Sequence, residues 1–296
     1  MTIQYRISRR SFLQASTLTA LAASLSQARL NAQSSAVSAR ALVQQIQKQL
    51  GVAADYKTVR DTFKAGNPDT AVQGVASTFM ATLDVLQRAK AAGLNFVISH
   101  EPTIWSDADT VSDVEQDPLY KHKMRFVESN GMIVWRIHDL WHAQHPEPMS
   151  DAEGKLLGWD QIMPGSHGYT RTYKLPPTPL KTIGAHLAAK LDSRSVRLVG
   201  DPNLVVQTIA HGSHALDGNI HGLENADAVL IGETRDWDSV EYVRDLIRSR
   251  QKKAMIVISH EASEEAGMEL FFHWFQSHFS AIRIQFISTR DRLWIV

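Results

Sequence analysis

The sequence predicts an α/β protein built on parallel or mixed sheet, and three observations carry that reading. Short apolar runs alternate with amphipathic stretches of helical period along the chain beyond residue 38. Several runs, such as Phe96-Val97-Ile98, are brief and wholly apolar, which marks a buried strand rather than a helix. The chain has 296 residues and is 44% hydrophobic, enough for one large domain or two modest ones with a real core.

The elements follow in order. Residues 38–50 read as an amphipathic helix, and 75–83 alternate loosely as a strand does. A helix over 84–92 stops at Gly93, and a buried strand over 95–98 comes next. A helix over 119–129 ends at Asn130-Gly131 and leads into a strand over 132–137. Pro164-Gly165 and Leu175-Pro176-Pro177-Thr178-Pro179 punctuate the middle and predict a domain boundary. Beyond it lie a helix over 180–191 and strands over 195–198, 204–210 and 228–231. A helix over 238–248, a strand over 254–258, a helix over 265–278 and a strand over 281–288 complete the pattern. No solenoid repeat or low-complexity tract interrupts it.

Composition narrows the function. The 31 basic and 31 acidic residues cancel, so no electrostatic footprint for nucleic acid is present. Zero cysteines exclude disulfides, thiolate metal sites and cysteine nucleophiles. A metal must therefore sit on His, Asp and Glu, and 13 histidines make that possible. At the start of the chain, Ser8-Arg9-Arg10-Ser11-Phe12-Leu13 precedes a mildly apolar run over 18–25 that is too short for a stable membrane span. This resembles a twin-arginine export signal occupying residues 1–32, with cleavage expected after Ala28 or Ala32. Removing its four arginines leaves 27 basic against 31 acidic residues, a formal charge of −4. The mature protein is expected to be periplasmic or secreted, and export in the folded state suits a cofactor loaded beforehand.

Three strands end in histidine. Phe96-Val97-Ile98-Ser99-His100-Glu101-Pro102 recurs as Ile256-Val257-Ile258-Ser259-His260-Glu261-Ala262. A third run, Ile133-Val134-Trp135-Arg136-Ile137, leads into His138-Asp139-Leu140-Trp141-His142. Ligands of open α/β sheets bind beyond the carboxyl ends of strands, so these imidazoles and carboxylates can face one crevice. No lysine or arginine lies inside the three short clusters to neutralise them. His260 and Glu264 share one face if the chain is helical there, as do His138 and His142. Imidazole with carboxylate suits zinc, iron or manganese better than calcium or magnesium. The competing reading is that strand-end histidines are boundary residues, or that Glu101 or Glu261 acts as a base beside an internal duplication without metal. His122, His145, His167, His186, His273 and His278 lack the strand-end context and read as surface or packing residues, whereas His211 and His214 stay open. Trp105 and Trp141, beside the clusters, are candidates for a pocket wall. Ser213 is no nucleophile elbow, and no Walker or dinucleotide glycine pattern occurs.

These residues resemble the Nif-three-like dinuclear metal-centre family, the YbgI/YqfO type known as GTP cyclohydrolase I type 2 homologues. Ser99-His100-Glu101-Pro102 stands where the family has a strand followed by His-His-Pro, and Leu83-Asp84-Val85 matches its upstream Asp-Val-Thr. Ile231-Gly232-Glu233 matches its Gly-Glu strand end, and Ser259-His260-Glu261-Ala262-Ser263-Glu264 matches its closing Gly-His-x-Ala-Thr-Glu. The resemblance implies a fold of two similar α/β lobes with mixed sheets and the metal site between them. It implies a metal-binding lobe over 38–165 with 250–296, a second lobe over 166–249, and a hexamer of like chains. It places the ligands of one or two divalent ions on His100, Glu101, His142, His260 and Glu264. Two positions depart from the pattern: Glu101 replaces a histidine and His142 an aspartate, so the inventory of imidazoles and carboxylates is unchanged. His138, Asp139 and Glu233 are candidates for the base or orienting groups. The implied activity is metal-dependent hydrolysis of a small molecule, and the alternative is a non-catalytic metal-binding scaffold.

Overall fold

The computed structural model describes residues 37–164 and 171–289. The export-signal reading of residues 1–32, along with His167, therefore lies outside the described residues. The first sheet contains β1 (Phe63–Ala65), β2 (Val75–Met80), β3 (Phe96–Glu101), β4 (Ile133–Arg136) and β10 (Ile284–Phe286), in the order β1-β4-β3-β2-β10. Only β1 runs antiparallel to its neighbour. The second sheet contains β5 (Thr172–Pro179), β6 (Arg197–Val199), β7 (Val205–His211), β8 (Ala228–Ile231) and β9 (Ala254–Val257). Its order is β5-β7-β8-β9-β6, with a parallel heart of β7, β8 and β9 and antiparallel edges. Two mixed sheets flanked by helices make the two α/β lobes.

Helices cover both sheets, and their starts follow ordinary capping chemistry. Ser38 caps α1 (Ala39–Gln49) and Thr82 caps α2 (Leu83–Ala91), each accepting from a backbone N–H three residues on. Asp117 and Glu147 cap α3 (Pro118–Ser129) and α5 (Pro148–Leu157), both with proline in the first turn. Between these two helices, Asp139–His142 forms the single turn α4. The second lobe carries α6 (Leu180–Lys190), α7 (Leu216–Asn225) and, after a π-helical turn over Asp236–Val240, α8 (Glu241–Arg248). One face of the first sheet packs Val75, Phe96, Ile98 and Trp135 against Leu42 and Ile46 of α1, and Ala76, Val97 and Val134 on the other face meet Leu86 and Val127.

The long helix α9 (His260–His278) joins the halves. It starts directly beyond β9 of the second sheet, and its apolar side, with Met268, Phe271 and Phe275, packs on the first. The Ser77 hydroxyl donates to the Met268 carbonyl at 2.8 Å across this joint. Against α5 the approach is so close that a Cβ on Gly267 would overlap Met149.

Four expectations change. Leu175-Pro176-Pro177 is no boundary but part of β5, an edge strand whose register shifts between Lys174 and Thr178, where prolines cost no ladder bond. Ala254–Val257 hydrogen-bonds in the second sheet, so the return to the first lobe comes at His260 rather than at residue 250. The last helix begins at His260, five residues before the expected start, and this turns the two histidine-glutamate positions onto one face. Trp141 is core, its ring 5.1 Å from Phe271, whereas Trp105 is half exposed above Lys123. Among the described residues, no helix is long and apolar enough to cross a membrane.

Candidate metal centre

The site is assembled from the carboxyl ends of both sheets. His100 and Glu101 are the last residues of β3 and are buried. Beyond β4 the buried Asp61 carboxylate accepts from the His138 and Leu140 N–H groups at 2.5 and 3.0 Å and fixes the turn α4. That turn delivers His138, Asp139 and His142. The first turn of α9 delivers His260 and Glu264. Past the end of β8, Gly232 lies so close to α9 that a Cβ would come 2.6 Å from the Ser263 hydroxyl, and this approach brings Glu233 to His260. The loop after β7 brings His214.

All five residues expected to hold metal meet in one cluster. His100 Nε2 lies 3.3 Å from Glu264 Oε2 and 3.8 Å from Glu101 Oε1. His260 Nε2 lies 3.2 Å from Glu264 Oε2 and 3.7 Å from Glu101 Oε1. The His142 ring is 4.8 Å from that of His100 and 4.7 Å from that of His138.

The outer partners of these rings set which nitrogen faces inward. His100 Nδ1–H donates to the Ile137 carbonyl at 3.0 Å; a carbonyl can only accept, so Nε2 carries a lone pair. His142 Nδ1–H donates to Glu147 at 2.8 Å, and His138 Nδ1–H to Asp139 at 2.9 Å. Glu233 faces Nδ1 of His260 at 3.6 Å and of His214 at 3.9 Å. This is the arrangement in which metal-bound imidazoles are held, with Nδ1 anchored outward and Nε2 aimed at the ion. His100 Nε2 is buried and makes no hydrogen bond, although two carboxylate oxygens lie nearby. A buried lone pair facing carboxylate oxygens is satisfied when a cation lies between them. The residues fit a divalent metal.

The electrostatics of the metal-free site divide the cluster into groups ready to ligate and groups that must first lose a proton. Burial pushes the His100 imidazole down to about 4, so it is neutral at pH 7. Burial pushes the Glu101 carboxyl upward, but His138, His100 and His260 outweigh it and hold the group at about 2. Glu264 is likewise kept ionised against its burial, chiefly by the His260 charge. Metal ligation needs a neutral His100 and ionised Glu101 and Glu264. Burial disfavours the charge on His260 and His138, but the facing carboxylates outweigh it and raise both imidazoles, so these rings give up a proton when an ion binds.

A cation outside the histidine clusters also bears on the site. Arg136, the last residue of β4, is fully buried and pairs with Glu101 Oε2 at 3.1 Å while its Nε donates to the His100 carbonyl at 2.8 Å. It further binds the Asp107 carbonyl and, at 3.4 Å, Asp109. Glu101 therefore has one oxygen held by Arg136 and turns the other to the imidazoles. No strand-end pattern announces this contact, because it arises from the pairing of Ser99 with Arg136 across β3 and β4. Glu147 was also missed, although a glutamate directly before a proline is a readable helix start. Of the two open histidines, His214 joins the cluster, its ring 4.3 Å from that of His260, and His211 Nδ1–H donates to the buried Glu153 at 2.7 Å. Glu261, His122, His145, His186, His273 and His278 belong to none of the ligand groups among the described residues.

The centre opens on a cleft of about 430 Å³ lined by His214, Glu233, Thr234 and Arg235. Residues 37–292 match the Duf34/NIF3 (NGG1p interacting factor 3) family. Among solved structures, a Staphylococcus aureus protein is 16% identical with a TM-score of 0.68, covering 88% of this chain and 100% of its own. A Bacillus cereus protein related to NIF3 is 11% identical with a TM-score of 0.71, covering 89% of this chain and 100% of its own. Reduced HcgD from Methanocaldococcus jannaschii is 17% identical with a TM-score of 0.62, covering 86% of this chain and 98% of its own. At these identities the likeness is one of fold. No curated protein sequence matches this one.

Proposed function

The chain belongs to the Duf34/NIF3 family, and from that premise we propose that it is an exported metal protein that hydrolyses a small molecule. One observation carries the reading: the lone pair of His100 Nε2 is buried without a hydrogen bond, 3.3 and 3.8 Å from two carboxylates. His100, Glu101, His142, His260 and Glu264 would hold one or two ions of zinc, iron or manganese. When bound, such an ion lowers the pKa of coordinated water and polarises a carbonyl or phosphoryl oxygen.

The chain's own residues supply the rest. Glu233 lies at the cleft, 60% exposed on its side chain, and its carboxylate can take a proton from water without leaving His260. Glu147, Asp139 and the Ile137 carbonyl hold the imidazoles in one tautomer. A cleft of about 430 Å³ admits a small molecule. The opening Ser8-Arg9-Arg10-Ser11-Phe12-Leu13 supports export of the folded, loaded protein.

A second reading has its own support. The cluster offers enough donors to fill the coordination of its ions without leaving a vacant position, which suits a protein that stores or delivers metal. Elemental analysis of the purified chain, followed by amide, ester and phosphoester substrate panels before and after chelation, separates the two. Chelator-sensitive turnover supports hydrolysis, and bound metal without turnover supports storage. A folded chain that takes up no metal would refute both.

A further inference from the structure

Two imidazoles of the cluster are left over by the five-residue ligand set, the largely buried His138 and the cleft-lining His214. His138 Nε2 lies 3.4 Å from Glu101 Oε1, and its ring stacks on that of His100 at 4.5 Å. His214 packs on His260, and Glu233 faces Nδ1 of both rings. Donor atoms of His100, His138 and His142 lie within 4.8 Å of one another, and so do those of His214, His260 and Glu264, while His100, Glu101 and Glu264 form a third such group that links the two. Donors on one tetrahedral ion at ordinary bond lengths sit about 3.4 Å apart, so each set needs only a small closure to hold an ion.

Resting on the metal-centre reading above, we propose that the centre is two chemically unlike subsites joined at Glu101 and Glu264, with His138 and His214 as ligands in their own right. The first subsite is His100, His138 and His142, three imidazoles. The second is His214, His260 and Glu264, two imidazoles and a carboxylate. Glu264 also reaches His100 Nε2 at 3.3 Å, and Glu101 completes the seam. Arg136 occupies its Oε2, and Oε1 lies 3.4 Å from His138 and 3.8 Å from His100 on one side and 3.7 Å from His260 on the other. The Glu101 and His142 departures then have a common effect. His142 makes the first subsite all-imidazole, and the fixed charge of Glu101 moves to the boundary.

Unlike donors select unlike ions. Three imidazoles favour cobalt, nickel or zinc and hold manganese poorly, whereas the mixed set accepts manganese and ferrous iron as well. The full chain, stripped with chelator, is reloaded separately with Co(II) and Mn(II), counting ions by elemental analysis and following the Co(II) ligand-field bands. The wild type is expected to take up about two Co(II) but about one Mn(II). His214→Gln is expected to keep about one Co(II) and lose Mn(II), and His138→Gln to keep about one of either. Circular dichroism verifies that each variant is folded. Equal uptake of two Co(II) and two Mn(II) by the wild type would overturn the proposal without recourse to a variant. So would two Co(II) with unchanged bands in both variants, and either result leaves the metal-centre reading standing. A folded wild type that binds neither ion would overturn both.

Discussion

Replacing Glu147 with glutamine tests whether the imidazoles are held for metal. Glu147 accepts from His142 Nδ1–H at 2.8 Å with one oxygen, and with the other from the Ser150 N–H at 2.8 Å and hydroxyl at 2.6 Å. Burial works against its charge, but His142 and Ser150 prevail and hold the carboxyl at about 2. Against an ordinary glutamate that favours the ionised form by about 3 kcal/mol, part of which belongs to the His142 bond. Glu147→Gln keeps a carbonyl oxygen for the helix cap and removes the charge that fixes the His142 tautomer. Metal affinity should fall about 10- to 100-fold, or about 1.4 to 2.7 kcal/mol, as for other partners of ligating histidines. The loss in stability should be smaller, about 1 kcal/mol from a weakened cap, lowering Tm by about 2–4 °C. Competition for Zn(II) against a chromogenic chelator measures the first quantity, and thermal unfolding of the metal-free protein the second. Asp151→Asn is the control, since Asp151 lies on the same helix but pairs with Arg171 and Lys155. Affinity for Glu147→Gln within about twofold of wild type would refute the argument that these outer partners aim the ligands.

Three further outcomes are expected. Arg136→Met strips the buried Glu101 of its arginine, whereas Asp109 keeps Lys64 at 3.3 Å, and should cost about 3–5 kcal/mol in urea unfolding; added Zn(II) should recover part of it, and a loss under about 1 kcal/mol would show that the charges are balanced otherwise. Lys123 is buried, which pushes its ammonium down to about 8 in the folded chain from 10.5. Between these pH values the unfolded lysine binds the proton that the folded one has lost, so stability should rise from pH 8 to 10.5. Lys123→Met should flatten that rise in the urea midpoint, and an unchanged slope would assign it elsewhere. Gly267→Ala drives a methyl into Met149, and the overpacking should cost about 1–3 kcal/mol by thermal unfolding; an unshifted Tm would mean that α5 and α9 are not locked together.

Much of the fold was legible because its signals are local. Ser38, Thr82 and Asp117 announce helix starts, and Gly93 and Gly131 mark ends at positive φ, where a side chain would be strained. The strand-end histidines were legible for a similar reason: a buried run that stops at Ser-His-Glu says both where the strand is and what lies at its tip. What escaped depends on pairing between distant segments. β1 is only three residues long and exists through Trp135 and Val134 of β4. Pro176-Pro177 has the same composition in a linker as on a sheet edge, and only its partner strand β7 decides. Arg136 looks like a polar break in an apolar strand until register places it under Glu101.

The joining helix also dictates an order of events for a growing chain. The strand β10 inserts beside β2, pairing Ile284 with Val75, and α9 covers the face above them. The first lobe made is thus the last completed: its edge strand and its cover reside in the final stretch of the polypeptide. A chain released before that stretch exposes apolar sheet to solvent, and it lacks His260 and Glu264. Contacts of such long sequence separation form slowly. Closure of the lobe and assembly of the candidate metal ligands are therefore one late step, so a truncated chain carries neither a finished core nor a complete cluster.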